Sequence, residues 1–163
     1  MKVLGIDPGT GRLGWAIVEK DKSSRIANGG VALVDCGLIE SPANTPLADR
    51  LKLIHEELSK IINKFSPNEM AIEELFFAKN IKTGISVAHA RGVAMLSGAE
   101  RGLPIYEYKP NEIKLGICGY GHADKNQMSK MVELHIRGCK IEQDDTVDAV
   151  ATALYHLQCN KIR

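Results

Sequence analysis

Apolar positions recur along this chain with two different periods, and the switches between them outline a fold. Lys2-Val3-Leu4-Gly5-Ile6-Asp7 is an almost continuous apolar run, broken by Pro8-Gly9 and resumed as Leu13-Gly14-Trp15-Ala16-Ile17-Val18. That is the pattern of a β-hairpin whose first arm is a buried central strand. A third run, Val31 to Ile39, follows the turn residues Asn28-Gly29-Gly30 and extends the hairpin into an antiparallel meander. The period then lengthens. Thr45-Pro46 reads as a helix start, with Thr as N-cap and Pro at the first helical position. Leu47, Leu51, Ile54, Leu58, Ile61 and Phe65 form one stripe on a helix that ends before Ser66-Pro67. His55 within it reads as a surface or boundary residue rather than a ligand.

Asn68 to Leu75 is a short strand ending in acid. A crossover helix after a meander sets such a strand parallel to the first and beside it, because these connections are right-handed and sequential elements tend to be neighbours. Glu73 then stands near Asp7, while Glu74 points the other way. Phe76 to Asn80 is a polar-aromatic loop. A helix from about Lys82 to Glu100, rich in Gly, Ala and Ser, suits close packing against the sheet or against another subunit. Pro104 to Tyr108 is the last strand, and Pro110 opens a short helix carrying Lys114. The glycine-rich stretch from Gly116 to Ala123 reads as the most mobile part of the chain, with His122 an exposed loop residue. Another helix runs from about Asp124, with Lys125 in its first turn. The last helix begins around Gln143-Asp144-Asp145, with Asp144 as N-cap, and runs apolar through Leu154 and Leu157.

At 163 residues the chain fits one α/β domain spanning 1–163. It has no apolar stretch near the roughly 20 residues of a membrane span and no basic-then-apolar leader, so no membrane contact and a cytoplasmic location are expected. Cys36, Cys118, Cys139 and Cys159 are widely spread, without the Cys-x-x-Cys spacing of zinc or redox sites. The net charge of +1 hides an uneven distribution. Residues 1–78 carry nine Lys/Arg against eleven Asp/Glu, residues 79–140 ten against five, and residues 141–163 two against four. A basic middle between acidic ends suits a phosphate-binding surface beside a cation site, although a solvated face produces the same bias.

Asp7 is the anomalous residue. A carboxylate ending a buried strand must be hydrogen-bonded, paired or bound to a cation. It either caps the Pro8-Gly9 turn or belongs to a site, with Gly9, Gly11 and Gly14 leaving room for a close approach to the backbone. Asp145 and Asp148 are three residues apart and share a helix face. First-turn acids are also what a helix dipole favours without any ligand. If Asp7, Glu73, Asp145 and Asp148 converge, each pair 4 Å apart repels by about 4 kcal/mol at an effective dielectric near 20. Protons or cations must then compensate. An all-oxygen set suits Mg²⁺ or Mn²⁺, and two such ions about 3.5–4 Å apart support in-line phosphoryl displacement. The combination points to a metal-dependent nuclease.

GIDPGTGRLGWA at the start, AIEELFFAKN from Ala71, ARGVAM from Ala90, YEYKPNEIK from Tyr106 and the closing DDTVDAVATAL occur in one order over nearly the whole chain. In these motifs the sequence resembles the RuvC-type Holliday-junction resolvases. The resemblance implies a ribonuclease-H-like fold, with a five-stranded mixed sheet flanked by helices. It also implies a homodimer that nicks two strands of a four-way DNA junction symmetrically in recombination and repair, working with the RuvA–RuvB branch-migration machinery. By the same resemblance Asp7, Glu73, Asp145 and Asp148 are the catalytic, metal-holding acids. Some family members have a histidine at the position of Asp145. Lys114 and Lys125 match basic residues beside the cut phosphate, and Phe76 matches an aromatic that stacks at the junction centre. Lys79, Asn80, Lys82 and Arg91 are further candidate DNA contacts. Two alternatives remain at this stage. An Asp-Pro-Gly-Thr turn also resembles the phosphate hairpin of sugar kinases and actin-like ATPases, which need a second such domain. A junction-binding protein that does not cut would carry much the same surface.

Overall fold

A computed structural model describes residues 1–20, 30–75, 81–136, 141 and 144–159, with residues 81–83 described in their backbone only. Strands β1 (Lys2–Asp7), β2 (Arg12–Lys20) and β3 (Val31–Glu40) are followed by helix α1 (Leu47–Phe65) and strand β4 (Glu69–Glu73). Helix α2 (Ile81–Ala99), strand β5 (Ile105–Tyr108) and helices α3 (Pro110–Cys118), α4 (Lys125–His135) and α5 (Asp144–Cys159) complete the order. The five strands form one sheet in the order β3-β2-β1-β4-β5. β1 pairs antiparallel with β2 and parallel with β4, and β5 runs parallel to β4. The meander and the parallel crossover expected from the apolar pattern are both present.

Strand alternation sorts side chains into two cores. Leu4 and Ile6 of β1, with Met70 and Ile72 of β4, pack against Ile54, Leu58 and Ile62 of α1 and Ala90 and Ala94 of α2. Val3, Ala16, Val18 and Ala71 face the other way, onto Val150, Ala153 and Leu157 of α5, with α3 and α4 behind them. The odd positions of β1 and β4 therefore look towards α5. Asp7 and Glu73 continue those rows.

α5 lies very close to the sheet because β1 and β2 present glycines beneath it. A Cβ at Gly5 would collide with the Ala149 carbonyl and Ala153, and one at Gly14 with the Asp145 carbonyl. Gly14 is paired with Asp7 in the β1–β2 register. The room anticipated at Gly14 is thus filled by the protein's own last helix, which brings the start of α5 over the end of β1.

Some local readings shift. α1 begins one residue later than expected, with Pro46 at the N-cap position and no side chain capping it, while the Thr45 amide closes a turn onto Pro42. Gly116, Ile117 and Cys118 belong to α3 rather than to an irregular loop, and Ile117 and Ala123 are buried. Gly116 is a packing residue, because the Tyr155 ring of α5 fills the place a Cβ would take. Asp144 lies inside the first turn of α5 instead of preceding it. Among the described residues no helix is long and apolar enough to cross a membrane, and Cys36, Cys118 and Cys159 are free thiols.

Candidate active site

The C-terminal ends of the adjacent parallel strands β1 and β4 deliver Asp7 and Glu73 to one edge and one face of the sheet. α5 delivers Asp145 and Asp148 to the same place from its first turns. The Asp7 carboxyl hydrogen-bonds Glu73 and feels the charges of Glu73, Asp148 and Asp145. Burial first, and these charges second, push its pKa up from 3.8 to about 8. Glu73 is raised to about 7, chiefly by burial and then by Asp148, against opposing effects of the Asp7 hydrogen bond and Lys114. Asp148 is raised by burial, with Lys125 and Lys114 pulling it back and Asp145 and Asp144 adding to the rise. The four acids anticipated from the sequence therefore act on one another across the fold. Turn capping alone does not account for Asp7.

In this state Asp7 and Glu73 form a proton-sharing carboxyl pair, which titrates as a unit. Among the described residues no three Asp, Glu, His or Cys side chains stand as a ready-formed metal cage. The donor chemistry nonetheless fits a hard divalent cation, since the cluster offers only carboxylate oxygens and is crowded with negative charge. Asp7 and Glu73 would be among the residues to hold such a cation, and its binding would compete with protons for the same carboxylate lone pairs.

The basic residues flank the acids. Lys114 on α3 is close enough to act on Glu73 and Asp148, and lines a groove with Glu74, Leu75, Lys109 and Pro110. Glu74 lies in that groove and is not among the charges acting on Asp7 or Glu73. Lys125 opens α4, whose N-terminus is closed by a capping box between Asp124 and Gln127. Its ammonium pairs with Asp144 at 3.1 Å, with both side chains largely exposed. An exposed pair of this kind is worth about 0–1 kcal/mol, so releasing Lys125 from Asp144 costs little.

Arg91, expected as a DNA contact, has partners within the protein. It is 17% exposed, donates from Nε to the Glu73 carbonyl at 3.1 Å and pairs with Glu107. Its guanidinium is occupied within the protein. Phe76, Lys79 and Asn80 lie outside the described residues, as does the side chain of Lys82. His122 is exposed in the turn between α3 and α4, and His55 joins α1 to α2 through Ser97 at 3.0 Å.

Sequence reasoning missed Gly5, whose signal was a glycine in the middle of an apolar strand. It also missed the buried His156, which contacts Glu69 at 2.5 Å and the Tyr108 hydroxyl at 2.7 Å. His156 lies two helical turns beyond Asp148, and Glu69 lies four residues before Glu73 on the same face of β4. These contacts anchor the far half of α5 over the strand that carries Glu73.

The model of the crossover junction endodeoxyribonuclease RuvC family matches residues 3–156. A RuvC crossover junction endodeoxyribonuclease of Brachyspira hyodysenteriae is 48% identical over 162 residues, covering 99% of this chain and 97% of the relative. One from Roseiflexus sp. is 46% identical over 156 residues, covering 95% and 89%. Among solved structures, Thermus thermophilus RuvC in complex with a Holliday junction substrate superposes with a TM-score of 0.90 at 28% identity, covering 99% of this chain and 96% of that one. The yeast mitochondrial Holliday junction resolvase Ydc2 shares the fold, with a TM-score of 0.67 at 16% identity over 99% of this chain and 81% of that one. The kinase alternative is thereby overturned. With its ribonuclease-H-like sheet and motifs running from β1 to α5, the chain belongs to the RuvC family of crossover junction endodeoxyribonucleases.

Proposed function

We propose that the protein resolves four-way DNA junctions in homologous recombination and repair, nicking two strands symmetrically as a homodimer. The observation that carries this reading is the meeting of Asp7, Glu73, Asp145 and Asp148, from three distant segments, at one sheet edge beside Lys114 and Lys125. These carboxylates would hold two Mg²⁺ ions during cleavage, with Mn²⁺ as a substitute. When bound, the cation supplies charge neutralisation at the scissile phosphate and eases deprotonation of the attacking water.

The chain's own residues do the rest. Asp7 and Glu73, held side by side on parallel strands, fix the acidic face that Asp145 and Asp148 of α5 complete. Lys114 and Lys125 bind the DNA backbone and offset the charge that develops as the bond breaks. Phe76 stacks at the junction centre, and Lys79 and Lys82 extend the backbone contact. The outward side of α2, where Ile85 and Leu96 are about half exposed, forms the surface between subunits. RuvA–RuvB is the partner machinery, and the protein works in the cytoplasm.

The test is incubation with a synthetic four-way junction and with plain duplex, in Mg²⁺, Ca²⁺ or chelator, beside Asp7→Asn. Paired symmetrical nicks in the junction alone are expected in Mg²⁺, with binding and no cutting in Ca²⁺, whose looser coordination suits binding better than chemistry. Asp7→Asn is expected to bind and not cut. Binding without cleavage by the wild type in every metal would instead identify a junction-binding protein.

A further inference from the structure

The peptide unit joining Glu73 to Glu74 is gripped from both sides. Its N–H donates to the Tyr108 carbonyl of β5 at 2.8 Å, and its carbonyl accepts from Arg91 Nε of α2 at 3.1 Å. The second arm of Arg91 pairs with the Glu107 carboxylate of β5. Glu107 is opposite Ile72 in the β4–β5 register and so shares the α2 side of the sheet. One guanidinium thus bridges a helix and two strands where β4 ends, and orienting this peptide plane fixes the backbone from which the Glu73 side chain leaves towards Asp7. The same helix reaches the other acidic strand end, since Ser86 donates to the Thr10 hydroxyl in the turn after Asp7 at 3.0 Å.

We infer that Arg91 is a positioning residue for cleavage, holding the end of β4 so that the Glu73 carboxylate meets Asp7, and that it is not a DNA contact. A planar fork with separate donors suits this task, since it bonds a carbonyl and a carboxylate at once in a fixed geometry. Lysine, a single ammonium on a flexible stem, lacks that fork. The inference rests on the proposed carboxylate site.

The experiment compares Arg91→Ala, Arg91→Lys and Glu107→Gln with the wild type. It reads single-turnover cleavage at saturating junction, the Mg²⁺ concentration for half-maximal rate, junction affinity in Ca²⁺ across a salt series, and melting temperature. The expected result for Arg91→Ala is a rate about tenfold lower or worse, about 1.4 kcal/mol of barrier, with a raised half-saturating Mg²⁺. Affinity and its salt slope should match the wild type. Arg91→Lys should recover part of the rate, and Glu107→Gln, which keeps the bond to the Glu73 carbonyl, should lose less than Arg91→Ala. If Arg91→Ala does not fold, the other two variants decide.

Wild-type rates and Mg²⁺ dependence in the folded variants would overturn the inference. So would a loss confined to affinity with a salt slope smaller by about 1, the signature of a phosphate contact. Glu73→Gln run in parallel separates the two levels. If it cuts like the wild type, the carboxylate reading itself has failed, whatever Arg91 does.

Discussion

Removing one charge from the acidic cluster should make the metal-free protein more stable, and should do so only as the pH rises. Asp7 titrates near 3.8 in an unfolded chain and at about 8 in the fold. Below the lower value both states hold the proton and the residue contributes nothing. Between the two values the unfolded chain releases a proton that the folded one keeps, so stability falls with rising pH, and the loss is complete above the folded value. At pH 7 the gap is about 3 pH units, or on the order of 4 kcal/mol at 1.36 kcal/mol each. That figure is an upper bound, because Glu73 shares the proton. Asp7→Asn keeps the shape and, through its amide, a hydrogen-bond donor towards Glu73, while removing the ionisation. If a quarter of the penalty is relieved, about 1 kcal/mol, a domain of this size melts about 2–4 °C higher. Calorimetry in chelator at pH 4 and pH 7.5 checks this, with almost no difference expected at the lower pH and the variant ahead at the higher one. Mg²⁺ should then raise the wild-type melting temperature by mass action and leave the variant behind. A difference that does not grow with pH would refute the claim that crowded, buried acids oppose folding here.

Lys114→Ala and Lys125→Ala should each weaken junction binding and reduce its salt slope by about 1, measured by titration at several ionic strengths. Gly14→Ala places a methyl group against the Asp145 carbonyl, and should cost about 1–3 kcal/mol in denaturant unfolding while cutting the cleavage rate of the folded fraction. His156→Leu removes contacts to Glu69 and Tyr108, and should lower stability by about 1–3 kcal/mol in the same unfolding assay.

Much of the site was legible because periodicity reports faces. Alternation in β1 and β4 put Asp7 and Glu73 on one side and Glu74 on the other, and crossover handedness made the strands neighbours. What stayed hidden depended on partners rather than on patterns. Arg91 looks like any cation in a basic stretch, and only the end of β4 reveals that its guanidinium is engaged internally. Gly116 carried a loop signal because glycine is locally a breaker, yet its missing side chain is filled by Tyr155 from a distant helix. Thr45 has the chemistry of a cap, but the turn onto Pro42 places the helix start after it. His156 sits in an apolar helix face where its type gives no hint of Glu69.

The order of elements carries a consequence for when the protein becomes dangerous to DNA. Among the elements described here, β1 leaves the ribosome before β4, which follows the meander and α1, and α5 comes after all of them. Pairing of such remote segments is slow relative to local structure, since loop closure precedes the contacts that reward it. A nascent chain that has already folded its meander still lacks Asp145 and Asp148. On the proposed carboxylate site, cutting competence arrives only when α5 docks onto the glycines of β1 and β2, so unfinished chains would have no assembled blade.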